Sequence, residues 1–208
     1  MKKIFIYFLF ILPSLLFSWD LAKNSNSIKV YTRNVEGSEL KEFKATTSLK
    51  TSLSALVALL KDESAMLSWW PDSKVAKIVK ETSASDWYYY FEIKAPFPVN
   101  NRDMINRFQV SQAADKKVTI TLTTHPEYMP VKSGIVRLPK LKGFWQLTPQ
   151  TDGNVEIIYQ LHSEPGGSLP DFLANSTVTD SPHKVLTNLR KKILEEKYQS
   201  AKFDFIKE

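Results

Sequence analysis

From Val75 to His162 the sequence keeps returning to one device, a short run of β-branched and aromatic residues followed by a turn. Val118–Thr124 (VTITLTT) shows it most plainly. Val118, Ile120 and Leu122 fall on one side and Thr119, Thr121 and Thr123 on the other, the period of two that belongs to a half-buried strand. Val75–Glu81 and Trp87–Lys94 (WYYYFEIK) read as a pair around Thr82–Asp86. Met104–Gln112 joins the Val118 strand through Ala114–Lys117, and Gly134–Leu138, Gly143–Leu147 and Val155–His162 follow, the last two linked by Thr151–Asn154 (TDGN). Upstream, Ile28–Val35 and Leu40–Ser48 flank the turn Glu36-Gly37-Ser38 as a hairpin. So many strands in succession, each able to pair with its neighbour through a short turn, predict an antiparallel sheet.

The period changes in three places. Leu53, Leu56, Val57 and Leu60 recur at helical spacing within Leu53–Lys61, with Ser52 placed to cap the first turn. Met66–Trp70 reads as a short helix ended by Pro71. After Glu164-Pro165-Gly166-Gly167, a short helix is expected over Leu169–Asn175 and a long one over Pro182–Gln199. In the long one Ser181 would be the cap and Pro182 the first helical residue, the position proline favours. Val185, Leu186, Leu189 and Ile193 share its apolar face. The class is α+β, an antiparallel sheet with helices on one side.

The first residues, MKKIFIYFLFILPSLLFS, set Lys2 and Lys3 before an uncharged apolar run broken by Pro13. That is the layout of a secretory signal peptide, and the run is shorter than the roughly 20 apolar residues of a membrane span. Residues 1–18 are therefore expected to be a leader cut near Ser18, and 19–208 one domain in the periplasm or outside the cell. The net charge of +6 includes two lysines of that leader. The remaining positive charge is scattered and does not form a nucleic-acid footprint. With no cysteine and three histidines (His125, His162, His183), thiolate metal sites and a cysteine nucleophile are excluded. HExxH, GxSxG and P-loop motifs are absent, and neither a metal nor a cofactor is expected.

A twisted sheet curling over one amphipathic helix leaves two outcomes. Side chains fill the gap and make a plain core, or fall short and leave an apolar cavity. Several stretches then become specific. They are Ile28–Arg33 with Gly37-Ser38, Leu59–Asp62 with Trp70-Pro71, and Phe91-Glu92-Ile93 followed by Pro96-Phe97-Pro98 and Asn101-Arg102-Asp103. Gly143–Pro149 (GFWQLTP), Tyr159–Asn175 (YQLHSEPGGSLPDFLAN) and Leu186 with Leu189-Arg190 continue the series. In order and spacing they resemble the StAR-related lipid-transfer (START) family, here as a bacterial exported member, over roughly 19–200.

The resemblance implies a helix-grip fold, a curved antiparallel sheet wrapped around the long C-terminal helix with an internal apolar cavity. It implies a monomeric, non-catalytic carrier of one lipid or other hydrophobic molecule, with transient membrane contact and no nucleic-acid partner. The alternative is a cyclase- or hydrolase-like enzyme using the same cavity, and a third reading is an interaction module with a filled core. Glu92 and Arg102 are the implied polar pair facing the cavity, against the alternative of a structural or surface ion pair. Asp103 would orient Arg102 or cap a turn. Trp145, Tyr159, Val185, Leu186, Leu189 and Ile193 would be cavity wall, or simply core. The loop His125–Ser133, with Tyr128 and Met129 at its tip, would be a lid over the tunnel mouth or an ordinary surface loop.

Overall fold

A computed structural model of the protein describes residues 18–167 and 171–208, the side chains of 171–177 excepted. The leader reading on residues 1–17 lies outside the described residues. The chain runs β1 (Asp20–Ser25), β2 (Ile28–Arg33), β3 (Glu42–Lys50), α1 (Leu53–Lys61), α2 (Glu63–Trp69), β4 (Ser73–Ser83) and β5 (Asp86–Ile93). It continues through β6 (Arg102–Gln112), β7 (Val118–Thr124), a 3-10 turn (Pro126–Tyr128), β8 (Val136–Arg137), β9 (Lys140–Pro149), β10 (Asn154–Glu164), α3 (Asp171–Lys192) and α4 (Glu196–Gln199).

Nine strands form one sheet in the order β1-β2-β3-β10-β9-β7-β6-β5-β4, and β8 adds to β6. All pairs along that path are antiparallel, while β8 runs parallel to β6. This is the expected class, with one long-range closure. The N-terminal hairpin reaches the rest of the sheet through β3 on β10, Ala45 opposite Tyr159. Alternation sorts the side chains into two faces. Phe43, Ala45, Ile120, Leu122, Ile157 and Tyr159 lie buried on the concave face, where α1, α2 and α3 cover them.

Local signals fix α1. Ser52 Oγ accepts from the Ala55 N–H, as its place in the sequence predicts. The helix is buried on more sides than one stripe, because the C-terminal segment covers it. The Glu208 carboxylate accepts from the N–H groups of Leu53 and Ser54 at 2.8 and 2.9 Å, which satisfies two donors that a helix start leaves open. Asp62 both ends α1 and caps α2, accepting from the Ala65 N–H at 3.1 Å. It also receives Lys197 Nζ and Tyr198 Oη at 2.6 and 2.8 Å. Burial alone would raise its pKa, but the hydrogen bonds from Lys197, Ser64, Tyr198 and Ala65 outweigh it and hold the carboxyl well below the usual range.

Three sequence expectations need correction. The two separate C-terminal helices are one helix, α3, with Pro182 inside it rather than at its start. Proline removes one i→i−4 hydrogen bond, and packing of α3 on β2 and β3 carries the helix through. The helix then stops at Lys192, short of Gln199, and α4 is a separate turn holding Tyr198 over α1. Strand β1 was not expected, because DLAKNS is polar and largely exposed, an edge strand with no buried face to give it a pattern.

Candidate functional site

The concave face is hollow at one end. Between it, the segment after α2 and α3 lies a cavity of about 690 Å3. Phe91 and Phe108 line it from β5 and β6, Leu122 from β7, Tyr159 and Leu161 from β10, with Trp70 and Val185 facing them. Its mouth lies where lining residues reach solvent, at Lys94-Ala95-Pro96 after β5, at Ser163 and Pro165 at the end of β10, and at Ser181 of α3. Beside the mouth Phe97 is 98% exposed.

Strand pleating decides which residues take part. On β6, Arg102, Met104, Asn106 and Phe108 share the cavity side. Asp103 is on the opposite face, paired across the sheet with Glu92 on β5. Glu92 and Arg102 therefore do not face each other. The buried Glu92 carboxylate lies on the convex face, where it takes Lys74 Nζ at 2.8 Å and Asn101 Nδ2 at 3.1 Å. The Lys74 hydrogen bond, opposed by burial and helped by Asn101, holds the Glu92 carboxyl below its ordinary pKa. Arg102 does line the cavity. It donates to the Asn100 carbonyl at 2.6 Å, and burial lowers its pKa.

Asp103 does not orient Arg102 either. It is fully buried and bound by Arg137 from β8 in a two-pronged pair, at 2.6 and 2.9 Å. The same guanidinium donates to the carbonyls of Pro126 and Met129 at 2.6 and 2.9 Å. That clasp pins the His125–Ser133 loop to the convex face. Tyr128 stacks on Tyr88 with ring centres 5.0 Å apart, and Lys132 lies over the Tyr90 ring at 4.3 Å. Tyr128 thus covers the outside of β5, and neither Tyr128 nor Met129 is among the residues lining the cavity. The lid reading of that loop does not fit this placement. The segment at the mouth is the connection from β5 to β6.

Of the expected wall residues, Tyr159 and Val185 line the cavity. Trp145 stands beside Tyr159, stacked at 4.1 Å and 6°, and is fully buried. Leu186, Leu189 and Ile193 are also fully buried, within the packed core rather than on the cavity lining. His162 and His183 bond to Ser38 and Ser25, as structural histidines would. Among the described residues no group of acids and histidines could hold a metal ion, and no helix is long and apolar enough to cross a membrane.

Asn106 was missed. It is 4% exposed, lines the cavity, and its Oδ1 has no hydrogen-bond partner among the described residues. The available signal was parity. Once Phe108 is taken as core, every second residue back along β6 must face inward as well.

A curved antiparallel sheet gripping a C-terminal helix, with an apolar cavity between them, defines a helix-grip cavity protein. The chain belongs to the START family, whose model, described as the START domain, matches residues 17–198. It is 37% identical over 172 residues to an uncharacterized protein of Pseudomonas aeruginosa, covering 83% of this chain and 85% of that one. It is 27% identical over 165 residues to the phosphatidylcholine transfer protein of Bos taurus, covering 76% of each. Among solved structures it is similar to a STAR-related lipid transfer protein fragment from Xanthomonas axonopodis. There the TM-score is 0.79 and the identity 41%, over 85% of this chain and 99% of that one.

Proposed function

We propose that the protein binds one lipid-like molecule in its cavity and carries it without chemical change. The observation that carries this reading is the 690 Å3 space with its largely apolar and aromatic lining. Each methylene moved from water into such a space contributes about 0.8 kcal/mol. The lipid-transfer proteins among its relatives support the same reading. Against catalysis stands the position of Glu92. The acid singled out as a proton donor or acceptor lies on the far face of the sheet, bound to Lys74. Among the described lining residues there is no histidine, and the carboxylate there is the exposed Asp72.

Loading and release would pass the mouth between the β5–β6 connection and α3. Exposed Phe97 beside it is placed to touch a membrane surface during exchange. The leader-like layout of residues 1–18 is the support for setting this work in the periplasm or outside the cell. Denaturing the purified protein and analysing the released small molecules by mass spectrometry tests the reading. One hydrophobic molecule per chain is expected. A protein that emerges empty and rejects fatty acids, phospholipids and sterols would refute it.

A further inference from the structure

The Tyr159 hydroxyl narrows the chemistry of the ligand, an inference that rests on the carrier reading above. Tyr159 stands in the middle of β10 on the concave face, between fully buried Ile157 and the cavity-lining Leu161. It is 5% exposed and lines the cavity itself. Three rings hold its own ring in place. Trp145 stacks flat on it at 4.1 Å, Phe43 meets it edge to face at 5.0 Å, and Trp70 does so at 6.0 Å. A side chain packed on this many sides keeps its polar atom at one place.

That polar atom has nothing to bond. The hydroxyls of buried Tyr89 and Tyr198 donate to the Lys61 carbonyl and the Asp62 carboxylate, at 3.0 and 2.8 Å. The Tyr159 hydroxyl has no such partner among the described residues, and burial alone acts on its pKa, raising it. Packing does not seal it in either. The neighbouring Trp145 Nε1 is enclosed, whereas Tyr159 Oη keeps surface open to the cavity. Phenylalanine would make the same ring contacts without the cost of taking a hydroxyl out of water unpaired. The phenol stays neutral. The lining residues that adjoin it, Phe43, Trp70 and Leu161, carry no charge to receive an ionised group.

Ser163 at the mouth lies four residues further along the strand, about 13 Å at 3.3 Å per residue. We infer that Tyr159 reads a neutral oxygen of the ligand, a carbonyl, ester or hydroxyl group carried to that depth. The cavity then favours an oxygenated hydrophobic molecule over a plain hydrocarbon.

Nonan-2-one, labelled with carbon-13 at its carbonyl, and 1-nonene test this. Both are short enough to shift along the cavity, and only the ketone brings an oxygen. The full chain, stripped of bound lipid, is titrated with each and followed by tryptophan fluorescence, since Trp70 is on the cavity wall. Infrared spectra of the bound ketone are recorded separately. In the unmodified protein the carbonyl band should lie below its position in hydrocarbon solvent, as it does when the oxygen accepts a hydrogen bond. Tyr159→Phe should return the band to the hydrocarbon position and weaken ketone binding about five- to tenfold, with 1-nonene binding unchanged. The empty Tyr159→Phe protein should melt no lower than the unmodified one, because the hydroxyl bonds nothing within the fold.

A bound-ketone band at the hydrocarbon position in the unmodified protein, a result that needs no variant to fold, would overturn the inference. So would a lowered band or a ketone affinity that survives Tyr159→Phe. An empty variant that melts lower would overturn it too, since the hydroxyl would then serve the fold. In each of these cases both probes still bind and the carrier reading stands. Binding of neither probe, with no lipid released by the protein as purified, would remove the carrier reading and this inference together.

Discussion

The two faces of β5 and β6 are furnished differently. On the convex face the buried charges are paired. Glu92 has Lys74 and Asp103 has both prongs of Arg137, and the half-buried Asp86 has Arg107. On the concave face the cavity lining is largely apolar, with Arg102 and Asn106 as its polar side chains from β6. A fully paired charge is structural, because its bonding capacity is spent. Glu92, Asp103 and Asn106 lie close together in the sequence, and strand pleating separates the convex pair from the concave residue.

The sharpest way to break this comparison is Asp103→Ala. It leaves Arg137 buried without its partner and releases the 125–133 loop, at a cost of about 3–5 kcal/mol. The melting temperature should fall by roughly 10 °C, with ligand affinity unchanged where the variant is folded. A drop in affinity instead would mean that the convex face takes part in binding.

Glu92→Gln should cost less, about 1–2 kcal/mol, and should also leave binding alone. It carries a pH signature. The folded carboxyl titrates below its ordinary value of 4.5, so its contribution is present above that value and is lost as pH falls through the lower folded value. Denaturant melts between pH 6 and about 3 should fall less steeply for Glu92→Gln than for the unmodified protein. Parallel curves would show that the Lys74 pair does nothing for stability.

Tyr128→Ala removes one exposed stack and should cost about 1 kcal/mol or less. Ligand exchange, followed by stopped-flow release of a fluorescent fatty acid, should keep its rate. Faster release would restore the loop as a lid. Smallest in stability is Met104→Trp. In a packed core such an enlargement costs about 1–3 kcal/mol, but here the ring enters empty space and the cost should stay below that. Ligand uptake, measured by native mass spectrometry, should be lost. A large drop in stability would mean that Met104 faces a filled core.

Much of the scaffold was legible in the sequence. Val118–Thr124 alternates between apolar residues and threonine and is a strand over those residues. Leu53–Lys61 has helical spacing and a serine cap, and is a helix over those residues. In both, local preference and tertiary burial agree. Where they part, the sequence misleads. Pro182 looks like a helix start from its neighbours, yet packing carries α3 across it. The face of Glu92 was hidden for a different reason. The assignment needs the register of β5 against β6, and a slip of one residue inverts it. The partner of Asp103 was also out of reach, since Arg137 lies 34 residues away on a two-residue strand with no pattern of its own.

Pairing of β3 with β10 has a consequence for how the chain comes together. Lys50 sits opposite Asn154, so the N-terminal hairpin waits through most of synthesis with one edge bare. Contacts of such sequence separation form slowly, and exposed edges invite the wrong partner meanwhile. The hollow therefore has no second wall until β10 leaves the ribosome, and a guest can find its place only in a chain that is almost finished.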